Sequence, residues 1–138
     1  MGAVYLQDAV CVLPSRSDLD ENMQYIAGTV AEMGGSFHLF AATSILPGSD
    51  QTLIDEFRQV ADNRLDEIYE KLGVIQASIE KNDDPFALEL AEEELKRERV
   101  AYLRQQRLAY FGSARQSSVE DRLDSLKNRL YQKYRSDS

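Results

Sequence analysis

Apolar residues recur along this chain at helical spacing over most of its length. Ile54, Phe57, Ala61, Leu65, Ile68, Leu72, Ile75 and Ile79 follow one another in steps of three and four, interrupted only by Gly73. That spacing predicts one helix of about seven turns with a seam close to that of a coiled coil. A shorter stripe of the same kind, Leu19, Met23, Ile26, Val30 and Met33, starts behind Ser17, a candidate N-cap. Asp18, Asp20 and Glu21 suit the positive end of that helix, and Gly34-Gly35 suits its stop. Asn82-Asp83-Asp84-Pro85 breaks the long helix and opens another, from Phe86 to about Tyr110, with Leu88, Ala91, Leu95, Leu103 and Leu108 as its apolar members. Glu92–Lys96 and Glu93–Arg97 are placed to pair along it. Val119, Leu123, Leu126, Leu130 and Tyr134 predict a last helix capped by Ser117 or Ser118, with the final Arg-Ser-Asp-Ser frayed.

Two segments depart from this period. Ala3 to Leu13, rich in β-branched and aromatic residues, reads as a bent strand or a tight hairpin around Gln7-Asp8, ended by Pro14. Ser36 to Ile45 has strand composition with apolar residues on both sides, the pattern of a strand covered on two faces. Leu46-Pro47-Gly48-Ser49-Asp50 then turns the chain into the long helix, capped by Ser49 or Asp50. The expected class is α+β and predominantly helical. A strand-helix-strand unit over 1–46 is followed by a long helical hairpin and a C-terminal helix over 47–138, together one compact domain.

Composition supports that reading and narrows the chemistry. Apolar residues make up 43% of the 138, enough for one modest core, and three prolines and seven glycines argue against a turn-rich all-β fold. The longest uncharged apolar run, Phe37 to Leu46, is about half the length of a membrane span, and no signal sequence opens the chain, so a cytoplasmic protein without membrane contact is expected. The single Cys11, within Val10-Cys11-Val12-Leu13, is expected to be buried. His38 is a lone histidine without a nucleophile arranged around it, and reads as structural. Asp55, Asp62, Asp66 and Glu70 lack the Glu-x-x-His partner of di-metal bundles and read as a solvated acidic face. Neither a P-loop nor a glycine-rich dinucleotide loop occurs. No catalytic residue, metal or cofactor is therefore expected.

The net charge of −8 conceals a division. Residues 1–95 hold 5 basic against 19 acidic residues, whereas residues 96–138 hold 11 against 5. An anionic contact for the basic third is the natural expectation. Arginine forks suit phosphate or another oxyanion, and at 100° per residue Arg97, Arg104 and Arg107 fall on one side of their helix, with Arg115 following and Arg99 pointing elsewhere. Arg97, Arg104, Arg107 and Arg115 are the candidate oxyanion- or phosphate-binding residues.

Three segments in order, GAVYLQDAVCVLP at 2–14, AEMGGSFHLFAA at 31–42 and LAYFGSARQSSVEDRL at 108–123, resemble the N-terminal domain of bacterial chromate-resistance regulatory proteins. More distantly, residues 2–45 resemble the ferredoxin-like domain of phenylacetate-catabolism repressors. The resemblance implies a partial ferredoxin-like front and a non-enzymatic regulatory or sensing role in chromate resistance, with chromate as the oxyanion; DNA contact is expected to be weak and salt-sensitive at most, because the net charge of −8 opposes approach to a polyanion. Family members usually place another strand and helix ahead of the segment matching Gly2, and the family's longer proteins also carry a C-terminal domain. Half a ferredoxin-like sheet would leave an open edge and an apolar face, so a homodimer is expected. The alternative is a helical dimerisation or protein-interaction module, joined through the 54–79 seam, with no small-molecule ligand.

Overall fold

The computed structural model describes residues 3–7 and 10–136, and its core is built by the long stripe identified above. The chain runs β1 (Val4–Gln7), β2 (Val10–Val12), α1 (Ser17–Glu32), α2 (Ser49–Lys81), α3 (Pro85–Leu108) and α4 (Gln116–Ser136), a predominantly helical α+β arrangement. It forms two compact units, residues 1–56 and 57–138, divided within α2.

In the first unit β1 and β2 form an antiparallel hairpin with Val4 opposite Val12 and Tyr5 opposite Cys11. The bend expected at Gln7-Asp8 falls partly on Asp8, which lies outside the described residues. Val4 is buried, whereas Leu6 and Val10 are about half exposed and Tyr5 and Cys11 stand on an open face. Cys11 is thus not the buried residue its apolar neighbours suggested, because no second layer covers that face. α1 starts at Ser17, one residue earlier than a Ser17 cap requires; Arg16 holds the cap position, and its guanidinium donates to Asp18 at 3.3 Å instead of capping a first-turn group. The helix stops as expected. Gly34 turns to φ 84°, and the Gly35 amide reaches back to the Val30 carbonyl at 2.9 Å.

Ser36 to Ile45 forms no strand. Composition favours a strand only where a neighbour supplies the other half of each hydrogen bond, and the described sheet holds β1 and β2 alone. Phe40 and Ile45 stand 83% and 94% exposed, so neither expected covering layer is present, and His38 rests beside Phe40 rather than in a sheet. The described front is therefore a hairpin and a helix, not strand-helix-strand.

The second unit is a three-helix, up-down-up assembly. Leu65, Ile68, Leu72, Ile75 and Ile79 of α2 pack with Leu88, Ala91, Leu95 and Tyr102 of α3 and with Val119, Leu123, Leu126 and Leu130 of α4. The 54–79 seam is thus filled by the chain's own helices from Phe57 onward. Asp84 caps α3 by accepting the Phe86 amide at 3.2 Å, with Pro85 in the first turn. One core residue differs from expectation: Tyr102 is buried, while Leu103 is 48% exposed. The Tyr102 hydroxyl donates to Glu120 of α4, which satisfies the polar end of the ring. α4 begins at Gln116, ahead of both candidate caps, and continues through Arg135 and Ser136, so that part of the tail is helical rather than frayed; Asp137 and Ser138 lie outside the described residues.

Candidate functional site

Two groups stand out among the basic residues of the last third. Arg115 of the link and Arg122, Arg129 and Lys133 of α4 are turned onto α2, whereas Lys127 is exposed and Arg135 lies against Tyr131 of α4 itself. Arg122 lies 4.3 Å above the Tyr69 ring and donates to the Gln76 side chain at 2.9 Å, in space left by Gly73. Arg129 holds Glu80 through two N–H donors at 2.9 and 3.3 Å. This contact keeps the Glu80 carboxyl below the usual carboxylate range and raises the guanidinium. Lys133, nearly buried, donates to the Ile79 and Asn82 carbonyls at 2.6 and 2.9 Å and to Asp83 at 3.1 Å, closing the negative end of α2.

Arg115 belongs to this first group. The link Ala109 to Arg115 is pinned along α2 at positions 57, 58, 62 and 66. Tyr110 and Phe111 meet the Phe57 ring at 6.2 and 5.4 Å, and Arg58 donates to the Phe111 carbonyl at 3.1 Å. Ser113 donates to Asp62, and Arg115 Nε to Asp66 at 2.9 Å. Gly112, at φ 81°, makes the turn that an L side chain would strain. The YFGSAR segment that carried part of the resemblance is thus a helix-to-helix connection held by side chains four residues apart. Asp62 and Asp66, read from the sequence as merely solvated, do the holding.

Arg97, Arg104 and Arg107 form the second group. All three are exposed and make no hydrogen bond or ion pair among the described residues. They share the outer side of α3, roughly opposite Leu88, Ala91, Leu95 and Tyr102. Lys96 is drawn to Glu92 at 3.6 Å, but the expected Glu93–Arg97 pair along the helix is not made. The structure therefore keeps three of the four candidate arginines together and gives the fourth an acidic partner on α2.

The sequence did not disclose a groove of about 350 Å³ between α2 and α3, lined by Arg64, Glu67, Ile68, Lys71, Glu98, Ala101 and Gln105. Glu98 Oε2 is enclosed there without a hydrogen-bond partner. Positions 64, 67 and 71 facing 98, 101 and 105 flank the two core stripes at helical spacing, the signal that could have revealed it. Two cations balance two carboxylates, so the groove has no bias towards an anion. No cluster of three potential metal ligands occurs among the described residues.

The second unit is thus a helical assembly with an ordered inter-helix link and an exposed row of arginines on α3. The chain belongs to the family of the N-terminal region of protein ChrB, a chromate-resistance family, whose model matches residues 1–136. No curated protein and no solved structure matches it. None of the described helices is long and apolar enough to cross a membrane.

Proposed function

We propose that this chain is a non-enzymatic regulatory or sensing domain of a chromate-resistance system, and that the outer face of α3 is where it meets its anion. The observation that carries this reading is the separation of the basic residues. Arg115, Arg122, Arg129 and Lys133 are engaged by α2, while Arg97, Arg104 and Arg107 stand exposed and unpaired on one rigid helix. Guanidinium forks on a fixed scaffold bind tetrahedral oxyanions through paired donors, and leaving them unpaired preserves that capacity. Family membership supports chromate as the oxyanion. Arg115 joins the site only by leaving Asp66.

Duplex DNA is the weaker ligand on this reading, because a chain of net −8 approaches a polyanion against its overall charge. Calorimetric titration with chromate, sulfate and duplex DNA at low and moderate salt tests the proposal. Saturable chromate binding with DNA binding that disappears at moderate salt is the expected result. A protein that binds none of the three overturns it.

A further inference from the structure

α3 carries a second row of regularly spaced residues besides the one that packs into the core. Phe86, Leu90, Glu93, Arg97, Val100, Arg104 and Arg107 follow one another in alternating steps of four and three. At 100° per residue this row lies on the opposite side of the helix from Leu88, Ala91, Leu95 and Tyr102. Phe86, Leu90 and Val100 are 75%, 49% and 64% exposed. A helix with apolar residues on two opposite sides is built for two neighbours, and α2 and α4 account for one.

The row is its own complement when read backwards. Two copies of α3 laid antiparallel, crossing at the level of Leu95, bring Glu93 opposite Arg97, Leu90 opposite Val100 and Phe86 opposite Arg104. Each pairing occurs twice by symmetry. Opposite charges meet, apolar residues meet, and a guanidinium lies over an aromatic ring. The acidic first half of the helix, with Glu89, Glu92, Glu93 and Glu94, comes to lie along the basic second half of the other copy. A parallel alignment would instead set Arg97 on Arg97 and Arg104 on Arg104. Within one chain Glu93 and Arg97 are spaced for an ion pair that the structure does not make, which leaves both groups available.

We propose that two copies of this chain associate through the outer face of α3 as an antiparallel, two-fold pair in this register. One helix from each copy buries less than a standard interface, so the dimer is weak and dependent on concentration. The inference does not depend on the anion reading and is tested in chloride buffer without any multivalent oxyanion.

Sedimentation equilibrium of the full chain over a wide concentration range is the experiment, with circular dichroism to show that each variant keeps its helices. The wild-type mass should rise from monomer towards dimer. Glu93→Arg alone and Arg97→Glu alone each replace two attractions by two repulsions and should weaken the dimer about tenfold or more. An equimolar mixture of these two variants should restore dimerisation, since every residue at 93 again faces an opposite charge at 97 of the other copy. The double variant Glu93→Arg/Arg97→Glu should do the same alone. A wild type that stays monomeric overturns the proposal, as does a dimer indifferent to both reversals, or two weakened variants whose mixture fails to recover.

Discussion

The ammonium of Lys133 is placed by three oxygens at the end of α2, two of them carbonyls that the helix leaves without intrahelical partners. Lys133→Met keeps the aliphatic stem but strands those carbonyls, and should lower stability by about 1–3 kcal/mol in urea denaturation. Asp83→Asn should cost less, because the Asp83 side chain is 90% exposed; equal losses would mean that the carbonyls are not the principal partners. Tyr134 offers a second check. Burial, and then its hydrogen bond to Glu92, raise its phenol from 10.0 to about 12. A phenol kept protonated in the folded chain contributes stability that is complete below the unfolded value and is lost as pH rises from about 10 to 12. Tyr102 is shifted in the same direction by its burial and by Glu120. Tyr134→Phe should therefore flatten the alkaline fall in stability, followed as unfolding midpoint against pH. Such partners were not legible in the sequence: the Asp66 that holds Arg115 lies 49 residues away. Tyr102 was missed in favour of Leu103 because hydropathy ranks leucine higher, whereas angular position and the nearby Glu120 decide which one turns inward.

Helices were legible because each stripe needs no information beyond its own segment. Leu72 and Ile79 of α2, Leu88 of α3 and Val119 of α4 are wholly buried where their spacing placed them. Leu72→Ala should cost about 2–5 kcal/mol in the same denaturation assay, the range for emptying a well-packed leucine site. Gly73 was read as an interruption, yet α2 runs through it, and a Cβ there would meet Arg122 Nη2 at 3.3 Å. Because that atom ends a flexible side chain, Gly73→Ala should raise stability, by less than the roughly 1 kcal/mol that helix propensity alone would give. Ser36 to Ile45 was misread for the opposite reason. A strand is a property of a pair, and nothing local in the segment states whether a partner exists. Helix starts were displaced by a residue or more at Arg16 and Gln116, because serine or threonine near a boundary is only one way of satisfying first-turn donors.

For the whole molecule, the charge division becomes a division of labour. Acidic α2 draws in Arg115, Arg122, Arg129 and Lys133, and the remaining arginine row faces outward on α3. The sequence showed that Arg97, Arg104 and Arg107 share a side; the pairing of the other cations depends on tertiary packing and was hidden. If the anion site and the antiparallel α3 pair both exist, an oxyanion competes with Glu93 of the other copy for Arg97. Chromate should then shift wild-type protein towards monomer in sedimentation experiments, while chloride at equal ionic strength should shift it less. The account stands most directly on calorimetric titration of chromate into wild-type chain and into the Arg97→Gln/Arg104→Gln/Arg107→Gln variant, whose substitutions lie on an exposed face. It predicts saturable binding to the wild type and at least a tenfold weaker affinity in the variant, a loss of about 1.4 kcal/mol or more. Equal binding by the two proteins would contradict it.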